Sequence, residues 1–248
     1  MTKIRGIILA GGTGSRLLPL TAVCNKHLLP VYNKPMIYYP IETLKSAGIT
    51  DIMVITGTHH AGAIFQLLGS GKDYGVNFTY RVQDIAGGIP SAIGLAKGFV
   101  GNDKFVSING DNILTESIKP FVEAFEKGKE KARILLYPGT TEQAKKSGVA
   151  VTKGEQVLDL IEKPQVPPST LISIGVYMYT PEVFDVIQTL KPSARGETEI
   201  TEVNKHFLKQ NALVASTING HWLDAGTVDE LWESNTKIKA LLEKNNKK

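Results

Sequence analysis

One cysteine, Cys24, is all the thiol that this 248-residue chain offers, so an intramolecular disulfide and a zinc site built from several thiolates are both excluded. Cys24 itself reads as a packing or loop residue rather than a nucleophile. Long apolar runs are also missing. Nothing reaches the ~18 residues that a membrane-spanning helix needs, and the apolar stretch Ile4 to Ala10 runs straight into glycines instead of the pattern of a secretory leader. The cytoplasm is the expected compartment, and no membrane partner is expected. No excess of one charge appears, because 28 basic and 24 acidic residues are well mixed and leave a net charge of only +4. The dense basic run Lys244-Asn245-Asn246-Lys247-Lys248 reads as a solvated tail, and no stripe of lysine and arginine with interleaved aromatics points to nucleic acid. Histidine ligand clusters are absent too. His59 and His60 are adjacent, point apart in regular structure and have no carboxylates beside them, so a loop or helix-start role is expected; His206 and His221 are read the same way. Linkers of low complexity and internal repeats are lacking, which argues for lobes of one domain over residues 1–248, divided at about residues 131 and 132.

The chain does carry a rhythm. Ile4 to Ala10 is a nearly unbroken apolar segment, as expected of a strand buried on both faces. Pro35 to Ala47 has apolar residues at helical spacing and stops at Gly48; Asp51 to Thr56 reads as a strand, and Ala61 to Leu68 as a short helix ended by Gly69. Val76 to Val82, Ile89 to Phe99 and Lys104 to Ile108 continue as strand, helix and strand. Such alternation predicts an α/β fold with a mostly parallel sheet covered by helices on both sides. After about residue 132 strands follow one another (133–137, 149–152, 157–161 and 173–179), with helices returning at 181–190, 199–210 and from Thr227 onward. This second half reads as a smaller mixed lobe closing over the first.

Directly after the first strand comes Leu9-Ala10-Gly11-Gly12-Thr13-Gly14-Ser15-Arg16. Three glycines in four residues let backbone N–H groups approach an anion, and Arg16 adds a fork suited to phosphate oxygens. A dinucleotide fingerprint requires a third glycine where Leu17 stands, and the Gly-Lys-Ser/Thr of a Walker A loop is absent. Lys26 and Lys34 follow, each near a proline-bounded turn.

Taken together, Gly11-Gly12-Thr13-Gly14-Ser15-Arg16-Leu17, Lys26, Leu28-Leu29-Pro30-Val31 and Lys34-Pro35-Met36-Ile37 resemble the signature of the sugar-1-phosphate nucleotidylyltransferases, in particular the glucose-1-phosphate thymidylyltransferase branch. Four further motifs resemble that family in its own order: Gly110-Asp111-Asn112, Glu162-Lys163-Pro164, the segment Lys191 to Asn204, and Trp222-Leu223-Asp224-Ala225-Gly226-Thr227. The resemblance implies a Rossmann-like fold of the nucleotide-diphospho-sugar transferase type. It also implies transfer of a nucleotidyl group from dTTP to glucose 1-phosphate, giving dTDP-glucose and pyrophosphate by in-line attack. UTP, another hexose 1-phosphate, or a catalytically silent binding subunit of the same fold are the alternatives. Helical pattern after Thr227 extends to Leu242, resembling the short form of the family, without the C-terminal helices that build an allosteric nucleotide site in longer members.

By the same resemblance, Arg16, Lys26 and Lys163 are the catalytic cations. Leu9, Gly11, Gly12, Thr13, Gly14, Ser15, Arg16, Gln83, Gly88 and Asp111 bind the nucleotide, with Gln83 pairing with the base. Asn109, Gly148, Glu162, Lys163, Gly175 and Arg195 bind the sugar phosphate, and Asp111 with Asp224 holds Mg²⁺, whose hard character suits carboxylate oxygen. A homo-oligomer, dimer or tetramer, is implied as well. The chain departs from the branch at His27, Asp84-Ile85-Ala86-Gly87, Asn109 and Ser147, positions that bear on base choice and sugar identity.

Overall fold

The computed structural model describes residues 3–193 and 196–245. Arg195, expected to clamp the sugar phosphate, lies outside the described residues. Strand β1 (Ile4–Ala10) leads into the glycine loop, a 3₁₀ turn at Ser15–Leu17 and a small hairpin of β2 (Pro30–Val31) and β3 (Lys34–Pro35). Then follow α1 (Tyr38–Ser46), β4 (Asp51–Gly57), α2 (Ala61–Leu68), β5 (Asn77–Gln83), α3 (Ile89–Gly94), α4 (Lys97–Val100), β6 (Lys104–Asn109), β7 (Asn112–Leu114) and α5 (Lys119–Lys127). The second half comprises β8 (Ala132–Pro138), α6 (Thr141–Ala144), β9 (Gly148–Lys153), β10 (Gln156–Glu162), β11 (Leu171–Tyr179), α7 (Val183–Thr189), α8 (Ile200–Lys209), β12 (Leu213–Thr217), β13 (Trp222–Asp224) and α9 (Val228–Asn245).

One nine-stranded sheet runs through both halves in the order β5-β4-β1-β6-β11-β8-β12-β10-β9. The first four strands are parallel to one another, as the strand–helix alternation requires; β11 joins antiparallel to β6 and opens the mixed part. The apolar run of β1 is explained by alternation. Ile7 and Leu9 enter one core and Ile8 and Ala10 the other, so both faces are covered. Helices α1, α2, α5 and α6 pack on one face, and α3, α4, α7 and α8 on the other. A third, smaller core gathers Leu17, Val31, Met36, Tyr39, Ile113, Ala225, Leu231 and Ile238, tying α9 to the glycine-loop turn and to the ribbon formed by β7 and β13.

The expected helix over 89–99 is broken in two. At Leu95 and Ala96 the N–H groups bond back three residues, to Ala92 and Ile93, at 3.1 and 2.9 Å, so the turn tightens after Gly94 and restarts at Lys97. Helix α5 and strand β12 are elements that the sequence pattern did not announce.

Candidate functional site

The loops at the carboxyl ends of β1, β4, β5 and β6 meet at one edge of the sheet, the usual place for a ligand crevice in an open α/β fold. The glycine loop is shaped by what crowds it. A Cβ on Gly11 would come 2.7 Å from Gln83 Oε1, and one on Gly57 would come 2.8 Å from the Gly11 carbonyl. Gln83 is thereby set against the loop, its Nε2 buried without a hydrogen-bond partner. Gly14 takes φ 70° and its carbonyl accepts from Thr21 Oγ1 at 2.8 Å. Leu17, the residue that breaks the dinucleotide fingerprint, is fully buried in the third core and anchors the turn that carries the exposed Arg16.

Two connected clefts open on this edge. The smaller, about 300 Å³, is lined by Leu9, Gly11, Gly12, Lys26, His27, Gln83, Gly88 and Asp111. The larger, about 530 Å³, is lined by Lys146, Ser147, Gly148, Glu162, Lys163, Gly175 and Asp224. Arg16, Ile89, Asn109 and Glu197 border both. The structure therefore brings nearly all the residues singled out from the sequence to these two clefts. Thr13 lines an adjoining hollow with Gly11 and Gly12, while Gly14 and Ser15 form the turn behind the loop and border neither cleft.

Asp111 and Asp224 come from opposite halves of the chain and meet through the ribbon, in which Asn112 pairs with Asp224. Lys26 Nζ lies 2.5 Å from Asp111 Oδ2. Burial alone pushes the Asp111 carboxyl up, but Lys26 in contact with it and the Asn112 amide at 3.2 Å hold it well below the usual range. Asp224 behaves oppositely. Burial first and the Asp111 charge second raise it to about 7, with Glu230 adding and Lys26 and Arg16 opposing. Its Oδ1 is buried with no hydrogen-bond partner. Two adjacent carboxylates, one with an unclaimed oxygen and a charge that its surroundings disfavour, are the donor set that a hard divalent cation relieves, so the pair fits Mg²⁺. No group of three or more His, Cys, Asp or Glu ligands occurs among the described residues.

On the larger cleft, Glu162 Oε2 accepts from Thr201 Oγ1 at 2.6 Å. Lys163 has φ 45° and donates its N–H to the Ser147 carbonyl at 3.0 Å, which projects its half-exposed side chain from the end of β10. A Cβ on Gly148 would lie 3.2 Å from Thr201 Oγ1 and 3.4 Å from Glu162 Oε2. At Gly175 the crowding comes from the protein itself: a Cβ would meet Asn109 Nδ2 at 2.4 Å. Here β11 slips out of register with β8 between Ser173 and Tyr177, and the Gly175 N–H turns to Asn112 Oδ1 at 3.0 Å.

Several contacts in the site escaped the sequence reading. Asn112 accepts from both Gly175 N–H and Trp222 Nε1, the latter at 2.7 Å, so it fixes the ribbon of β7 and β13 to β11. Thr198, which lines the larger cleft, donates its N–H and its hydroxyl to the Gly87 carbonyl at 3.0 and 2.8 Å. Gly88 beneath it has φ 91°, and a Cβ there would strike the Thr198 carbonyl at 2.3 Å. His27 is buried, held by Asn25 Oδ1 at 2.7 Å from Nδ1, and burial followed by the neighbouring Lys26 charge lowers it to about 3, so it is neutral. The partners of Asn112 and Thr198 lie far from them in the chain, so the motifs that contain these two residues do not announce the contacts. As expected, His60 is a helix-start residue at α2, and Cys24 is a loop residue whose thiol faces the Leu20 carbonyl at 3.5 Å.

The whole architecture recurs in solved proteins. A Bacillus anthracis protein provisionally assigned as a glucose-1-phosphate thymidylyltransferase, crystallised with sucrose, superposes with a TM-score of 0.89 at 50% identity over 94% of each chain. A UDP-glucose pyrophosphorylase complexed with UDP-glucose gives 0.84 at 25% identity, over 97% of this chain and 99% of that one. The fold is thus that of the nucleotide-diphospho-sugar transferases. Among proteins of known name, the low-salt glycan biosynthesis nucleotidyltransferase Agl11 of Haloferax volcanii is 45% identical over 95% of this chain. The chain spans 66% of Agl11's length. A glucose-1-phosphate thymidylyltransferase of Mycobacterium tuberculosis is 41% identical over 96% of this chain and 83% of its own. The family model described as Nucleotidyl transferase matches residues 5–240. The chain belongs to the nucleotidyl transferase family, in its sugar-1-phosphate nucleotidylyltransferase branch.

Proposed function

We propose that this protein joins dTTP to glucose 1-phosphate, releasing pyrophosphate and dTDP-glucose, with Mg²⁺ as its metal. The observation that carries the reading is the seam between the clefts: a glycine-loop cleft and a sugar-sized polar cleft share Arg16, with Asp111 on one side and Asp224 on the other. An oxygen of the sugar 1-phosphate attacks the α-phosphorus and the bond to the β-phosphate oxygen breaks, so pyrophosphate leaves with no covalent enzyme intermediate. The phosphate oxygen is already ionised near neutral pH, and no general base is required. The protein must instead align two anions that repel one another. Glycine-loop N–H groups and Arg16 hold the triphosphate, Gln83 reads the base edge, and Lys26 stands beside the transferred phosphate. Lys163 presents the nucleophile, and Glu162, fixed by Thr201, accepts from the sugar hydroxyls. When bound at Asp111 and Asp224, Mg²⁺ supplies charge neutralisation on the phosphates.

Thymidylyltransferase relatives favour dTTP; the likeness to a UDP-glucose pyrophosphorylase favours UTP as a second reading. The test is pyrophosphate release with Mg²⁺ across dTTP, UTP, CTP, ATP and GTP, each paired with glucose, galactose or N-acetylglucosamine 1-phosphate. Release confined to dTTP and glucose 1-phosphate is expected. Release with UTP alone replaces the nucleotide, and silence from folded protein across the panel leaves a binding subunit.

A further inference from the structure

We infer that Asn109 is a specificity-determining residue that hydrogen-bonds the C2 hydroxyl of the sugar, so that the larger cleft selects hexose 1-phosphates carrying oxygen at that carbon. This rests on the reaction assigned above. Asn109 is the last residue of β6 and one of the side chains that border both clefts. Its Oδ1 is buried without a hydrogen-bond partner. The Gly175 N–H on β11, against which the Asn109 amide packs, is taken by Asn112 Oδ1 at 3.0 Å. A carboxamide oxygen enclosed in this way is out of reach of a ligand, so the hydrogen-bonding capacity that remains to the side chain is that of its Nδ2 donors. Asn109 is half-buried, so with Oδ1 enclosed the part left open to the clefts is its amide edge. Among the described residues no hydrogen bond ties that edge down, and Gly175 leaves it room, since even one added carbon there would fall 2.4 Å from Nδ2.

The position names the substituent. The sugar phosphate must reach the seam to meet the α-phosphate, which puts the anomeric carbon next to the shared wall where Asn109 stands. C2 is the hydroxyl-bearing carbon bonded to the anomeric one. C4 and C6 lie further into the larger cleft, toward its remaining lining.

The test crosses enzyme variants with sugars. kcat/KM is measured by pyrophosphate release for wild type, Asn109→Leu and Asn109→Ala, using glucose 1-phosphate and its 2-deoxy, 4-deoxy and 6-deoxy analogues. Wild type is expected to lose roughly 10- to 100-fold on the 2-deoxy sugar, because a group placed to bond a hydroxyl is left unpaired. Both variants are expected to discriminate against it by less than about threefold, as the missing hydroxyl no longer has a partner to abandon. The alanine variant covers the case in which leucine disturbs the strand end, and thermal denaturation checks the fold of each. A 2-deoxy penalty as large in the variants as in wild type overturns the inference, as does an Asn109-dependent penalty at C4 or C6. Silence of folded wild type on the parent sugar overturns the reaction itself, and is told apart by that.

Discussion

His27 offers the most direct link between one side chain and a measurable quantity. It is enclosed and neutral when folded, with a pKa lowered to about 3, whereas in the unfolded chain it protonates near 6.5. Its contribution to stability is therefore complete above pH 6.5 and is lost as the pH falls toward 3, at about 1.4 kcal/mol per pH unit. Urea denaturation between pH 7 and 4 is expected to show wild type losing stability more steeply than His27→Gln by that slope; parallel curves would mean that His27 stays accessible. The two aspartates are expected to respond with opposite signs. Asp224→Asn removes a buried charge that its surroundings disfavour and should raise the melting temperature of metal-free protein by about 2–4 °C. Asp111→Asn strips Lys26 of its partner and should lower it. Both, together with Lys163→Ala, should cut turnover by at least ~100-fold in folded protein, the low end for losing a key electrostatic group; near-normal turnover in any of them would remove that residue from the site. At this scale the sequence was informative about which residues of short motifs reach the clefts, as for Arg16, Asp111 and Lys163. It was silent on Asn112, Thr201 and Thr198, whose meaning depends on Gly175, Trp222, Glu162 and Gly87, none of them close in the chain.

Among the elements, β8, β10 and β12 are tied together by one buried guanidinium. Arg133 on β8 reaches Glu130 at 2.7 Å, Glu155 at the turn before β10 at 2.8 Å, and Ser216 on β12 at 2.6 Å. Glu130 is nearly as enclosed as Arg133, so removing the arginine leaves an uncompensated buried carboxylate. Arg133→Ala is expected to lower unfolding free energy by about 3 kcal/mol in urea titrations, and Arg133→Lys by less, since lysine keeps the charge and loses the fork. A change within experimental error would place the network among inconsequential surface pairs. The parallel block was readable because a strand buried on both faces has no polar alternation, as in β1. Strand β12 was not, because Leu213-Val214-Ala215-Ser216-Thr217 is short and has little large apolar surface. Nor does any sequence pattern reveal the slip of β11 beside Gly175, where Asn109 of β6 and Asn112 of β7 meet it.

At the scale of the molecule, both large cores draw residues from each half of the chain: Ile8 with Val176 in one, Leu9 with Tyr177 in the other. Antiparallel pairing of β11 with β6 makes the sheet continuous across that divide. Calorimetry of the metal-free protein is accordingly expected to give one transition whose van't Hoff and calorimetric enthalpies agree; two resolved peaks would show that the halves melt separately. The ribbon of β7 and β13 adds a consequence in time. Its two strands are made far apart during synthesis, and only their pairing sets Asp224 beside Asp111. A nascent chain on the ribosome can form the glycine loop, the parallel strands and even most of the larger cleft while its carboxylate pair does not yet exist. The carboxylate pair is thus assembled only once β13 has been made, after most of the scaffold that surrounds it.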